Sequence, residues 1–206
     1  MHKGVYFGKN FAEQKKKILI LGESHHGKEK DKGNSAKYNT CDVVEEYLQA
    51  KRGEIKMIRS LYFFTKIAHA FDSSLNCQDT INFWNNVAFG NYIDVICGIK
   101  DNYAKSYIYE NNNRDRLNKD LFEFVNKNRI DCIICVSKLV FNALPEPPIY
   151  SNSSGVSTSQ FLSSETYTNN LKLCKNLLVY SIPHPSGFGF KPKKYNEILN
   201  CLIIGG

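Results

Sequence analysis

Three short stretches hold residue types whose spacing could do chemistry: His184-Pro185-Ser186-Gly187, Glu23-Ser24-His25-His26, and Asn91. His184 stands between Pro183 and Pro185, just after an apolar, partly β-branched run at 177–182. Such a run reads as a buried strand, and proline ends it because proline cannot donate to a ladder and fixes its own φ. The imidazole is thereby expected at the C-terminal mouth of a strand, where open α/β sheets bind ligands. Ser186 adds a hydroxyl and Gly187 a permissive turn. Phe188 and Phe190 bring aromatic rings, expected to be exposed, into a loop that also carries Lys191, Lys193 and Lys194. This mixture suits chemistry on a nucleic acid. The plainer alternative is an ordinary strand-to-helix turn with a capping serine.

These groups need elements to bring them together. The run at 17–21 is a buried strand that delivers Gly22 and Glu23-Ser24-His25-His26. A polar loop at 28–40 follows, too long for a simple connection and so a candidate wall of the site. A helix opens at Asp42 with Val43, Val44, Tyr47 and Leu48. Met57, Leu61, Phe64, Ala68 and Phe71 mark one stripe of a longer helix. Asp79 opens another through Trp84, and 87–93 is a second strand with Asn91 near its end. Beyond a polar connection at 100–113, residues 114–128 form an amphipathic helix. The third strand is 131–136, with Ser137 as N-cap of a helix at 138–144. Residues 145–170 hold seven serines, three prolines and no strong period, which reads as a mobile loop or a segment ordered by a partner. Strand 177–182 and a helix at 193–203 close the chain. Apolar strands separated by helices predict an α/β, three-layer αβα fold around a central, mainly parallel, four-stranded sheet, with 1–206 as one domain.

The chain has 206 residues, a formal net charge of +7, 12 tyrosines and 13 phenylalanines. The basic excess favours a polyanionic partner, although a lysine run is more often a solvated face. Seven cysteines lack regular spacing. Cys132 and Cys135 lie within a strand, where side chains alternate, so they read as buried thiols rather than zinc ligands or a redox pair. A metal hydrolase built on His25, His26 and His184 is disfavoured, because adjacent histidines point apart on an extended chain. No apolar run approaches the ~20 residues that span a bilayer, and a reduced, cytoplasmic, monomeric protein without cofactor or metal is expected.

In order and spacing, Gly22-Glu23-Ser24-His25-His26, Phe89-Gly90-Asn91 and His184-Pro185-Ser186-Gly187 resemble the motifs of the uracil-DNA glycosylase superfamily. That family has a Gly-initiated motif after its first strand, a base-reading Asn after a middle strand and a late His-Pro-Ser. The resemblance covers residues 17 to 200 or so and implies a uracil-DNA glycosylase-like fold, DNA as partner and cleavage of the bond between sugar C1′ and a base flipped out of the helix. It casts His184 as the donor that stabilises the departing base anion and Asn91 as donor and acceptor to a base edge. Ser186 would hold a phosphate, the Gly187-Phe188 tip would fill the gap left by the base, and Lys191 and Lys193 would contact DNA. Tyr38, with Phe89 as competitor, would stack on the base.

The first motif departs from the family. The usual uracil enzymes read Gly-Gln-Asp-Pro-Tyr, where Asp orients water and Tyr blocks 5-substituted bases. Ser24, His25 and His26 stand in the Asp, Pro and Tyr places. Serine cannot serve as a carboxylate, so either Glu23 takes that task or Ser24, His25 and backbone groups hold the water. The Gly-Glu start is similar to the thermophilic branch, but the N-terminal cysteine pair of that branch's iron–sulfur cluster is missing, so no cluster is expected. His26 in place of tyrosine implies a pocket open to uracil or to a 5-substituted or hypermodified pyrimidine, the latter a target in anti-phage defence. A DNA-binding relative that has lost catalysis is the alternative.

Overall fold

The computed structural model describes residues 4–34, 40–98, 103–110, 112–145, 171–174, 177–187 and 189–204. Its centre is β2 (Ile18–Gly22), whose five residues are all buried. On one side β2 pairs in parallel with β4 (Ala88–Asn91), and on the other with β6 (Cys132–Cys135). β6 pairs in parallel with β8 (Leu177–Ser181). These are the four strands expected from sequence. The four-stranded count needs correction, because two antiparallel edges extend the sheet to six strands in the order β1-β4-β2-β6-β8-β7. They are β1 (Tyr6–Phe7) beside β4 and β7 (Leu171–Cys174) beside β8. β1 is too short to show a period, and β7 carries a lysine and pairs on one side only, so neither has the continuous apolar signature of a central strand.

Alternation along the strands divides the core into two. Leu19, Leu21, Ile133, Cys135 and Val179 face α4 (Tyr103–Tyr109), α5 (Asn113–Asn128) and α6 (Lys138–Ala143), through Ile108, Leu121 and Val140 among others. Ile18, Ile20, Cys132, Ile134 and Tyr180 face the other way. There they meet α1 (Thr40–Arg52), α2 (Tyr62–Phe71), α3 (Cys77–Asn86) and α7 (Asn196–Ile204), through Tyr47, Phe64, Trp84 and Leu199. The result is a mixed α/β fold in three layers with a mostly parallel sheet. Cys132 and Cys135 are buried on opposite faces, and burial pushes the Cys132 thiol up to about 12. They are core thiols.

Three expectations change in detail. The stripe from Met57 to Phe71 is not one helix: Ile58 is extended, a 3-10 turn covers Arg59–Leu61, and α2 begins at Tyr62. The polar connection at 100–113 contains α4. His25 and His26 lie on β3 (His25–Gly27), which pairs in parallel with β5 (Ile96–Gly98) as a separate two-stranded ribbon. Ser137 caps α6 as expected, accepting from the Val140 N–H. Of the serine-rich segment, residues 146–170 lie outside the described residues. Among the described residues no helix is long and apolar enough to cross a membrane.

Candidate active site

Because β4, β2, β6 and β8 run in one direction, their C-terminal ends share one edge. Along that edge the second, first, third and fourth parallel strands of the chain lie side by side. The chain leaves β2 towards β4 and then returns past it to β6. A ligand crevice is expected where the order reverses in this way.

The residues after β2 sit at this reversal. Their backbone is held by bonds from Tyr92 N–H to the Gly22 carbonyl and from Ile93 N–H to the Glu23 carbonyl, both 2.9 Å. Gly22 pairs with Asn91 across the ladder. A Cβ at position 22 would collide with Asn91 Oδ1 and come within 3.2 Å of Phe89 Cζ. Glycine therefore lets the Asn91 amide and the Phe89 ring close over the end of β2. The half-buried Asn91 side chain makes no hydrogen bond within the described residues, so its donor and acceptor are both available. Ser24 Oγ is buried and likewise has no partner.

Glu23 is fixed from the third strand. The Ser137 hydroxyl donates to Glu23 Oε2 at 2.6 Å and accepts from Val140 N–H at 3.4 Å. With its lone pair facing the helix, its proton is directed at the carboxylate. One serine thus caps α6 and ties the segment after β6 to the segment after β2.

His184 arrives from β8 in a tight turn. Ser186 N–H donates to His184 Nδ1 at 3.2 Å, and Gly187 N–H closes back on the His184 carbonyl at 2.8 Å. A Cβ at 187 would crowd that carbonyl at 3.0 Å, which explains the glycine. Because Nδ1 accepts, the neutral ring carries its proton on Nε2. Burial lowers the His184 pKa from its ordinary value. Glu23 works against this shift, and His26 and Lys66 add to it. The charges of Glu23 and His26, after β2, thus act on the imidazole in opposite directions.

α2 packs against the turn that carries His184. The Phe63 ring lies 5.2 Å from the His184 ring at 36° and 6.2 Å from Phe89. Lys66 Nζ donates to the Pro185 carbonyl at 2.9 Å. Phe63 and Lys66 are three apart on one helix face, and both act on the turn that holds His184. Sequence reading missed them: the helical period marks Phe64 as core and leaves its neighbours as ordinary helix surface.

The other expected residues fall as follows. His25 Nε2 is 3.2 Å from the hydroxyl of Thr40 at the start of α1, and burial, then His26, lowers its pKa. His26 is exposed. Phe89 is buried, with its ring among Phe63, Phe64 and Trp84, so it belongs to the core beneath α2. Ser186, Gly187, Lys191 and Lys193 are exposed. Phe190 is half-buried and stacks on Tyr195 at 5.6 Å, which corrects its expected exposure: the 3-10 turn at Pro192–Tyr195 folds back and covers it. Tyr38 and Phe188 lie outside the described residues. No protein-family model matches the chain, and no curated protein matches it significantly.

Proposed function

We propose that the chain is a DNA glycosylase of the uracil-DNA glycosylase superfamily, acting as a cytoplasmic monomer without cofactor. On this reading it hydrolyses the N-glycosidic bond of a flipped-out pyrimidine and leaves an abasic site. The observation that carries the reading is the set of groups at one sheet edge: a neutral imidazole with its proton on Nε2, an unpartnered amide at Asn91 and a hydrogen-bonded carboxylate at Glu23. When the C1′–N bond breaks, its electron pair leaves with the base and positive charge develops on the sugar. The Nε2–H of His184 stabilises the charge growing on a base carbonyl, a contribution of ~3–4 kcal/mol for one well-placed donor. Asn91 addresses the base edge with one donor and one acceptor. Glu23 accepts a proton from the water that attacks C1′, which meets the need created by Ser24 in the Asp place, and Ser24 Oγ has a free bond for that water.

His26 in the tyrosine place is compatible with uracil, or with a pyrimidine modified at its 5-position, as the substrate, in base-excision repair or in defence against phage DNA. The test is incubation with duplexes carrying uracil, 5-hydroxymethylcytosine or glucosylated cytosine, followed by alkaline cleavage. Abasic sites are expected from at least one of them, with release lost in His184→Ala and Asn91→Ala at unchanged circular dichroism. Full activity in both variants refutes the assignment. Salt-sensitive DNA binding with no abasic sites from any substrate would make the chain a non-catalytic DNA-binding relative.

A further inference from the structure

The mechanism above leaves unexplained a half-buried lysine beside the turn that carries His184. Lys66 lies in the middle of α2, and its Nζ is bonded to a backbone carbonyl rather than to a carboxylate. A neutral donor would hold that carbonyl as well. An ammonium group sited there also repels a proton from the nearby ring.

We propose that Lys66 is a positioning residue for His184: its ammonium holds the Pro185 carbonyl, and with it the 183–187 turn, while its charge keeps the imidazole a neutral donor. The contact is at the residue next to His184, and Phe63, one helical turn earlier on the same face, packs on the ring itself. α2 is anchored in turn, since Asn196 Nδ2 at the start of α7 donates to the His69 and Ala70 carbonyls at 2.9 Å. Among the described residues, the charged groups acting on the ring are Glu23 and His26 from the segment after β2 and Lys66 from α2. Glu23 favours the protonated ring and the other two oppose it. Lys191, Lys193 and Lys194 follow in the chain and are exposed. Lys66 therefore offsets the carboxylate that the reaction requires close by. Burial is the main reason the ring stays neutral, and Lys66 adds to it by opposing the pull of Glu23 towards the protonated form.

This inference rests on the reading of His184 as the donor to the departing base, and two independent measurements separate them. The first is NMR titration of the His184 ring nitrogens in the full chain, which needs no substrate. Lys66→Met is expected to raise the His184 pKa and to weaken the bond at Nδ1. Lys66→Gln, which keeps a donor without the charge, should raise the pKa while preserving the Nδ1 bond. Lys66→Arg should match the parent and guards against a folding defect in the other two. The second is single-turnover release from whichever modified duplex the parent cleaves. Lys66→Met should lose about tenfold or more, as displaced catalytic groups do, with an acid limb moved to higher pH and little change in DNA affinity. An unchanged His184 titration and tautomer in Lys66→Met overturns the role of Lys66, whatever the activity. A parent that cleaves no duplex while the titration shifts as expected overturns the glycosylase reading and leaves the linkage between Lys66 and His184 intact.

Discussion

Two imidazoles, His25 on the β3–β5 ribbon and His184 after β8, have pKa values below the ordinary 6.5, both chiefly because burial disfavours the charged ring. In the unfolded chain the same rings bind protons at a pH where the folded ones do not. The preference of the native state for neutral rings is therefore fully present above 6.5. It is lost as pH falls from there through the depressed folded values. The urea midpoint should drop as pH falls below 6.5, and a double His25→Gln/His184→Gln variant should flatten that drop. An equally steep drop in the double variant would show that the two rings are not its source. At this scale the sequence was informative where a residue's neighbours in the chain determine its role. His184 is bracketed by prolines and Ser186-Gly187, and those same residues build its turn. Phe63 and Lys66 could not be read in this way, because what they touch comes from a segment more than a hundred residues later.

Among the elements, α6 shows how a short helix comes to bear on chemistry. Its six residues have limited stability of their own, and the Ser137 cap supports both the helix and Glu23. Ser137→Ala should cost about 1 kcal/mol in urea denaturation, the usual loss for a serine cap, and should free the carboxylate. Ser137→Asp keeps a cap acceptor but removes the donor and sets a like charge against Glu23. Because residue 137 is buried, that charge should lower stability as well as slow single-turnover base release about tenfold or more, while Ser137→Thr retains both cap and donor. A parent-like rate in Ser137→Asp would restrict Ser137 to capping. The cap was legible because serine before an apolar helical run is a start signal. Its second bond was not, since Glu23 and Ser137 meet only through the pairing of β2 with β6. For the same reason β1, β7 and α4 escaped the pattern: edge strands and half-buried short helices lack the full apolar period on which sequence reading relies.

Over the whole molecule, the charge of +7 bears on the partner rather than on the fold. If Lys191 and Lys193 each neutralise a phosphate, a Lys191→Gln/Lys193→Gln variant should bind DNA with a salt dependence shallower by about 2 in log–log slope, at ~0.9 per contact. An unchanged slope would place the DNA elsewhere. The four parallel strands were readable as apolar runs, whereas their lateral order was not, because it depends on which long-range pairings bury the most. That order places the first of the parallel strands in the middle. Ile18 aligns with Cys132, and Leu19 with Ala88. During synthesis, the emerging Ile-Leu-Ile-Leu segment can pair with β4 early, but its other edge must wait until the ribosome has delivered residue 135, and His184 comes later still. Such a nascent chain is a natural client for a chaperone, and shortening that wait by circular permutation should raise the yield of folded protein.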